Sequence, residues 1–214
     1  MKRLENNFSE NNVGKVALIR IPKNASRSMA SSLGLHLPGA HYPAQMLRES
    51  DPARFSTSTK VACIRNPFER MVVWYEFHCG TQPGGMYNGT GIEKFRGWVA
   101  RACPHRFWMG HWASHPYEQW RWICNAEKEI LVDKVLRYEN FAAEWEKEIQ
   151  IPFKLEPLPK INMTPVNSWG SYYDKATLAR VEAIVYNDLG ILGYEVPKLR
   201  DLADRPGACA IKKL

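Results

Sequence analysis

The sequence predicts an α/β protein with a central parallel sheet flanked by helices. Two short, mostly apolar segments rich in β-branched residues, 15–21 and 60–65, are typical of buried strands. Each is followed by a polar turn and then by apolar residues at helical spacing, so the chain alternates strand, loop and helix. This alternation favours a parallel sheet that helices cover on both faces.

The first elements follow closely on one another. Residues 28–35 have apolar side chains at helical spacing, directly after the first strand and its loop. The second strand, 60–65, stops before Asn66 and Pro67, and a proline suits the first turn of the helix that we expect next. These two strand–loop–helix units form the predicted core of the fold.

The second half of the chain is predicted to complete the sheet and cover it. A pair of short strands is expected at 130–132 and 134–138, followed by an amphipathic helical stretch over 140–149. A last strong helix is predicted over 174–189, with Asp174 as its capping residue.

The length of 214 residues suits one domain of ordinary size. We expect a polar N-terminal arm over 1–14, one domain over 15–196 and a loosely packed tail over 197–214. The glycine-rich stretch 79–91 contains turn residues and is predicted to be a loop that could act as a flap.

Composition excludes some classes of protein. Hydrophobic residues make up 45% and charged residues 24%, which argues against a disordered chain or a membrane protein. The N-terminal residues lack the apolar core of a signal peptide, so a cytoplasmic location without a membrane partner is expected. The five cysteines form no CxxC pair and are expected to be reduced thiols. The net charge of +7 favours an anionic partner without identifying it.

The segment between the first strand and its helix has the chemistry of an anion-binding loop. A loop at the carboxyl end of a parallel strand that leads into a helix offers backbone N–H groups to a phosphate. The segment supplies cations, hydroxyl groups and a small residue for close approach, at Lys23, Asn24, Ala25, Ser26, Arg27 and Ser28. A polar turn with a capping serine would explain the same residues. The Walker A pattern is absent, which disfavours a nucleoside triphosphatase.

Residues 21–28, Ile-Pro-Lys-Asn-Ala-Ser-Arg-Ser, resemble the "PKTAxTS" loop of sulfotransferases that use 3′-phosphoadenosine 5′-phosphosulfate (PAPS), particularly the carbohydrate sulfotransferases. Residues 64–75 resemble the family's "VRNPxxRxxSxY" segment, and 137–141 and 172–194 resemble two later segments. The resemblance implies a P-loop-like sulfotransferase fold, with the first loop on the 5′-phosphosulfate and the second segment on the 3′-phosphate.

The chain departs from the family pattern at three positions. Asn24 and Arg27 stand where threonine is usual, and Val73 replaces the serine that assists the leading arginine. We therefore expect Arg65 to bind the 3′-phosphate with less help, since its guanidinium suits a bidentate contact. Arg70 is either a second phosphate ligand or a structural residue.

Sulfuryl transfer needs a base for the acceptor hydroxyl and cations that offset charge on the leaving phosphate. The resemblance makes His41 the candidate general base, with Lys23 as the cation. His111 and His115 are competing candidates; their spacing alone does not make a metal site, and no metal is expected.

The acceptor is predicted only by class. The resemblance implies a hydroxyl-bearing small molecule or a glycan, and tryptophans near arginines between Trp98 and Trp122 suit a sugar or aromatic ring, although packing in a core would explain them as well. The alternatives are a phosphotransferase with a variant loop and a non-catalytic binder of polyanions or nucleic acid. Nucleic acid is the less favoured partner, and the oligomeric state is not predicted.

Overall fold

The computed structural model describes residues 7–11, 14–35, 41–80, 90–101, 117–158 and 168–202, apart from the side chains of 78–80. The chain divides into two compact units. The first unit consists of Met1–Arg65 and Gln119–Asn162, and the second of Asn66–Glu118 and Met163–Leu214. The single domain expected over 15–196 stays a prediction.

The secondary structure alternates strands and helices in the first part of the chain. The strands are β1 Phe8–Glu10, β2 Lys15–Ile19, β3 Thr59–Ile64 and β4 Lys134–Arg137. The α-helices are α1 Ser26–Ser32, α2 Ala44–Ser50, α3 Pro52–Thr57, α4 Pro67–Gly80, α5 Ile92–Arg101, α6 Trp120–Ile123, α7 Phe141–Trp145, α8 Ile151–Phe153, α9 Lys175–Ile184 and α10 Tyr186–Leu192. Turns of 3-10 helix span Tyr138–Asn140, Trp169–Tyr172 and Leu199–Asp201, and a π-helical turn spans Glu146–Gln150.

The sheet of the first unit confirms the predicted fold class. Its strand order is β1-β2-β3-β4, and β2, β3 and β4 run parallel. The register pairs Leu18 with Val61 and Cys63 with Leu136, so the buried positions of neighbouring strands lie side by side. The continuous burial of β2 and β3 agrees with strands that are covered on both faces.

Two details of the sheet differ from the sequence-based expectation. The arm predicted over 1–14 contains β1, which pairs antiparallel with β2 because Phe8 is buried and the Asn7 side chain donates to the Leu18 carbonyl. The strand predicted over 130–132 is wrong, since Ile130 makes a single antiparallel bridge to Cys124 and is 50% exposed. An exposed apolar side chain lacks the packing that holds a strand in a sheet.

Helix α1 ends earlier than its apolar pattern predicts. Gly34 adopts a left-handed conformation with φ of 66°, and its N–H donates to the Ser31 carbonyl. Leu35 N–H returns to the Ala30 carbonyl at 2.8 Å, which satisfies another carbonyl of the last turn. Glycine is suited to this termination because a left-handed residue with a Cβ is strained.

The core of the first unit lies between the sheet, α1 and the stretch after β4. Trp145 and Ile149 are fully buried and Phe141 packs beside them, as the predicted amphipathic stretch requires. They share a cluster with residues of the strands and α1, at Val16, Leu18, Met29, Ala30, Leu33, Leu35, Val61, Cys63 and Leu136. This apolar packing positions the loop between β2 and α1.

The second unit contains the predicted helix after Pro67. The Asn66 side-chain oxygen accepts from the N–H groups of Phe68 and Glu69, so Asn66 caps α4 and Pro67 occupies its first position. Aromatic and aliphatic side chains of α4, α5 and α9 form the core of this unit, and Tyr173 donates to the Phe68 carbonyl at 2.8 Å.

The last predicted helix is interrupted. Asp174 caps α9 by accepting from Thr177 N–H at 2.8 Å, as predicted, but the helix breaks at Val185 before α10 begins. Residues 198–201 are exposed, but Leu202 is 1% exposed within the second core, so the tail expected to be loose from Pro197 is anchored at this residue. The flap predicted over 79–91 falls mostly outside the described residues. None of the helices in the described part of the chain has the length and apolarity needed to cross a membrane.

Candidate active site

The loop after β2 has an unusual backbone. Lys23 and Ala25 both adopt positive φ, 67° and 55°, a region that residues with a Cβ rarely occupy. Such conformations cost about 1–3 kcal/mol each and persist only where surrounding contacts impose them. They cluster at ligand-binding sites. The predicted anion loop is therefore a conformation that the rest of the first unit holds in place.

Asn24, between the two strained residues, anchors the loop to the sheet. Its side chain is fully buried, and Nδ2 donates to the Cys63 carbonyl at 2.9 Å and to Gln119 Oε1 at 2.6 Å. The threonine usual at this position in the family pattern is shorter and lacks an amide. The Asn24 side chain thus holds the loop in place, and the contact of Asn24 with the nucleotide stays a prediction.

Lys23 lies in a strongly positive environment. Burial and, to a smaller extent, the neighbouring guanidinium groups of Arg65 and Arg27 together lower the pKa of the Lys23 ammonium to about 7. Positive groups at one place repel one another, and a bound anion relieves that repulsion. The loop therefore has the electrostatics of an anion site.

Arg65 is the second cation that the structure brings to this loop. It follows the last residue of β3, is 3% exposed, and its Nη1 donates to the Lys23 carbonyl at 3.3 Å. Its guanidinium lies over the Tyr138 ring, 4.0 Å from the ring centroid. A ring face and a carbonyl together fix the direction of a guanidinium.

The remaining loop residues are divided between surface and interior. Arg27 is exposed, whereas Ser26 and Ser28 are 6% and 9% exposed in the first turn of α1. Arg27 thus joins Lys23 and Arg65 through its charge, and the buried serines place hydroxyl groups at the start of the helix.

His41 has a defined orientation. Its Nδ1 lies 2.6 Å from the Arg20 carbonyl oxygen, and its ring meets Trp122 edge to face with centroids 6.3 Å apart. A carbonyl oxygen only accepts, so Nδ1 carries the proton in this bond and the lone pair of the neutral ring resides on Nε2. This tautomer suits a general base acting through Nε2.

Arg20 is a buried cation that the sequence analysis missed. It is 2% exposed, and burial lowers the pKa of its guanidinium to about 10. Arg20 lies between β2 and the loop that contains Lys23. The hydrogen bond between its backbone carbonyl and His41 therefore holds the His41 ring against the segment that leads into this loop. In the sequence, Arg20 is only a single basic residue at the end of a predicted strand, and no motif indicates this contact.

Gln119 is the second residue that the sequence analysis missed. Its buried amide binds both backbone groups of Arg65 and the side chain of Asn24. The local sequence from Tyr117 to Trp120 contains no motif that indicates such a role.

The other half of the second motif is structural. Arg70, 4% exposed, donates through Nη1 to the Tyr117 carbonyl and lies over the Trp74 ring at 5.4 Å. Val73 is 1% exposed within the apolar core of the second unit. Arg70 therefore fits the structural alternative, and Val73 fills a core position.

Several other candidates do not gain support. His111 and His115 lie outside the described residues, so their roles stay predictions. Trp98, Trp120 and Trp122 are at most 7% exposed, which favours packing over contact with an acceptor. Within the described ranges, no group of three or more His, Cys, Asp or Glu is placed to hold a metal ion.

Comparison with known proteins gives one match. The model of the sulfotransferase family covers residues 6–194, which include the Lys23 loop, Arg65 and His41. No curated protein and no solved structure matches the chain. Because the match spans most of the 214 residues, the chain belongs to the sulfotransferase family, whose chemistry is sulfuryl transfer.

Proposed function

We propose that this protein transfers a sulfuryl group from PAPS to an acceptor hydroxyl, and that the loop from Lys23 to Ser28 and Arg65 bind the donor. The main support for this proposal is that Lys23 and Arg65 lie close together. A hydrogen bond joins Arg65 to the Lys23 carbonyl, and the positive charge of Arg65 lowers the pKa of the Lys23 ammonium. Lys23 and Arg65, 42 residues apart in sequence, thus form one cationic site, and PAPS carries phosphate groups at two positions that need such cations.

The residues have separate tasks in this proposal. Lys23 offsets the charge that develops on the leaving 5′-phosphate, because a positive group fixed before the reaction stabilises the transition state without reorganisation. Arg65 holds the 3′-phosphate through its planar guanidinium. Ser26 and Ser28 supply hydroxyl donors, and Arg27 adds charge at the surface.

His41 is proposed to accept the acceptor's hydroxyl proton at Nε2 while Nδ1 keeps its bond to the Arg20 carbonyl. The acceptor oxygen then bonds to sulfur, and the bond between sulfur and the 5′-phosphate oxygen breaks, which leaves adenosine 3′,5′-bisphosphate (PAP). The balance of this step requires no metal. A carbohydrate acceptor is proposed from the resemblance of the loop to carbohydrate sulfotransferases.

Binding of PAP tests the donor site. Isothermal titration with PAP should give a micromolar or tighter complex, and Lys23→Ala or Arg65→Ala should weaken it by at least tenfold. Lys15→Ala is the matched control, because it removes a lysine of the same unit whose ion pair with Glu10 is solvent-exposed. Unchanged affinity in both site variants would exclude the proposal. Preference for ATP with Mg²⁺ would indicate a phosphotransferase, and steeply salt-dependent binding of polyanions without a PAP effect would indicate a non-catalytic binder.

His41→Asn tests the base. The Asn Nδ2 group retains a donor near the Nδ1 position, so the bond to Arg20 can survive while the proton acceptor is lost. With a hydroxyl acceptor identified from a panel of sugars, phenols and alcohols, kcat should fall by about 100-fold or more, the usual contribution of a general base. PAP affinity should not change. A variant with full kcat would assign the base to another residue.

A further inference from the structure

The Gln119 side chain links the two parts of the cationic site. It is fully buried, and its Oε1 accepts from Arg65 N–H at 2.9 Å and from Asn24 Nδ2 at 2.6 Å. Its Nε2 donates to the Arg65 carbonyl at 2.7 Å. One amide therefore contacts the backbone of one cationic residue and the side chain that neighbours the other.

The contact with Arg65 extends the sheet by one residue. Strand β3 ends at Ile64, and the next backbone N–H and carbonyl, those of Arg65, are both satisfied by the Gln119 amide. A primary amide presents a donor and an acceptor side by side, as a neighbouring strand does. This pairing fixes the position of the Arg65 backbone, and hence the point from which the side chain that carries the guanidinium extends.

The contact with Asn24 supports the strained loop. Asn24 stands between Lys23 and Ala25, the two residues with positive φ, and its Nδ2 divides its hydrogen bonds between Gln119 and the Cys63 carbonyl. Because both flanking residues are strained, the loop needs contacts that prevent it from relaxing. Gln119 supplies one of them.

We propose that Gln119 is a positioning residue that fixes the Lys23 loop and Arg65 at one separation, so that the 5′- and 3′-phosphate groups of the donor meet cations already in place. The inference rests on the proposed function of this site. The charges of Lys23 and Arg65 repel each other, and the Gln119 hydrogen bonds, together with the bond from Arg65 Nη1 to the Lys23 carbonyl, oppose their separation when no anion is bound. A site that is already held in its binding geometry avoids the free-energy cost of bringing these groups together when the ligand binds.

Gln119→Met tests the proposal, because it keeps the length of the side chain and removes both polar groups. PAP affinity at pH 7.5 should fall about tenfold, equivalent to about 1.4 kcal/mol. Asn7→Leu is the matched control. It also removes a fully buried amide of the first unit that binds a strand carbonyl, at Leu18, and should lower the melting temperature while PAP affinity stays within twofold of wild type.

The pH profile separates positioning from general destabilisation. Arg65 and Arg27 are the charged groups that act on Lys23, so release of Arg65 should raise the Lys23 pKa. The pH above which PAP affinity declines should therefore move upward in Gln119→Met and stay unchanged in Asn7→Leu. A loss of affinity with an unmoved profile would overturn the proposal.

Two further variants test the positioning role of Gln119. If Gln119→Met does not fold, Gln119→Asn takes its place, because it shortens the side chain by one methylene without a change of charge. Its loss of PAP affinity should be smaller and in the same direction. In an Arg65→Lys background, Gln119→Met should cost less than in wild type, since part of its effect acts through the Arg65 guanidinium. Fully additive losses would contradict this coupling. Wild-type protein that fails to bind PAP would overturn the proposed function itself, whereas tight wild-type binding with unaffected Gln119 variants would overturn only the positioning role.

Discussion

Arg65 and Arg70 belong to the same motif, yet their surroundings differ. Both side chains are buried, with exposed fractions of 3% and 4%. Arg65 bonds to the Lys23 carbonyl and helps to depress the Lys23 pKa, within a group of cations. Arg70 bonds to the Tyr117 carbonyl and lies over Trp74, within a unit whose core is built of aromatic and aliphatic side chains.

The difference indicates that one motif can combine a residue that we propose to bind the ligand with a residue that stabilises the structure. Arg65 stands where a strand ends, in the position at which parallel sheets collect ligands. Arg70 lies within α4, one turn after the capping Asn66, where it stabilises its own unit. Substitutions at the two arginines should therefore affect different measurements, ligand affinity for one and stability for the other.

The largest expected effect is on ligand affinity. Arg65→Met should weaken PAP binding by about 100-fold, about 2.7 kcal/mol, because it removes a charge-assisted contact to phosphate. The Gln119 bonds to the Arg65 backbone do not depend on that side chain, so the strand end should stay in place. Arg70→Met in the same titration should change affinity less than threefold. Equal losses of affinity in the two variants would show that Arg65 and Arg70 do not differ in their role toward the ligand.

The next effect is on stability. Arg70→Met should lower the free energy of unfolding by about 2 kcal/mol, since it leaves the Tyr117 carbonyl without its charged donor inside the second unit. Urea denaturation followed by tryptophan fluorescence measures the change. Arg65→Met should be less destabilising, because removal of one cation relieves repulsion with Lys23. The opposite order of stabilities would show that Arg65 is the structural residue.

The third effect is on pH dependence. The lowered Lys23 pKa, about 7, means that above this pH the unbound protein must take up a proton when it binds an anion. As far as Lys23 decides it, affinity for PAP should therefore be highest below pH 7 and should fall as the pH rises through this value, by up to about tenfold per pH unit, until the raised pKa of the complex is reached. Lys23→Arg keeps the charge and should flatten this decline. Titrations in buffers of different ionisation enthalpy measure the proton uptake directly, and an absence of uptake at pH 8 would contradict the prediction.

The smallest effect concerns Val73. Val73→Ser restores the residue of the family pattern, but in this chain it places a hydroxyl in the apolar core of the second unit. Stability should fall by about 1–2 kcal/mol, and PAP affinity should change less than threefold. A tenfold gain in affinity would show that position 73 contacts the ligand. The second half of the motif would then take part in ligand binding and would not be purely structural.

Local patterns predicted much of the fold. The apolar runs of β2 and β3, the helix that begins at Pro67 and the cap at Asp174 depend on neighbouring residues, and each was found where expected. Strand β1 was missed because its polar context hides the single buried Phe8. The break at Val185 also escaped prediction, since the apolar spacing continues through it.

For the site, the sequence by itself determined which residue types are present and in what order: a cationic loop after β2, an arginine after β3, and a family pattern that joins them. Only the tertiary structure decided that Asn24 anchors the loop, that Gln119 pairs with Arg65, and that Lys23 titrates near neutral pH. The physical reason is distance along the chain. Gln119 is 54 residues from Arg65 and 95 from Asn24, so folding alone brings their hydrogen-bonding groups and charges together.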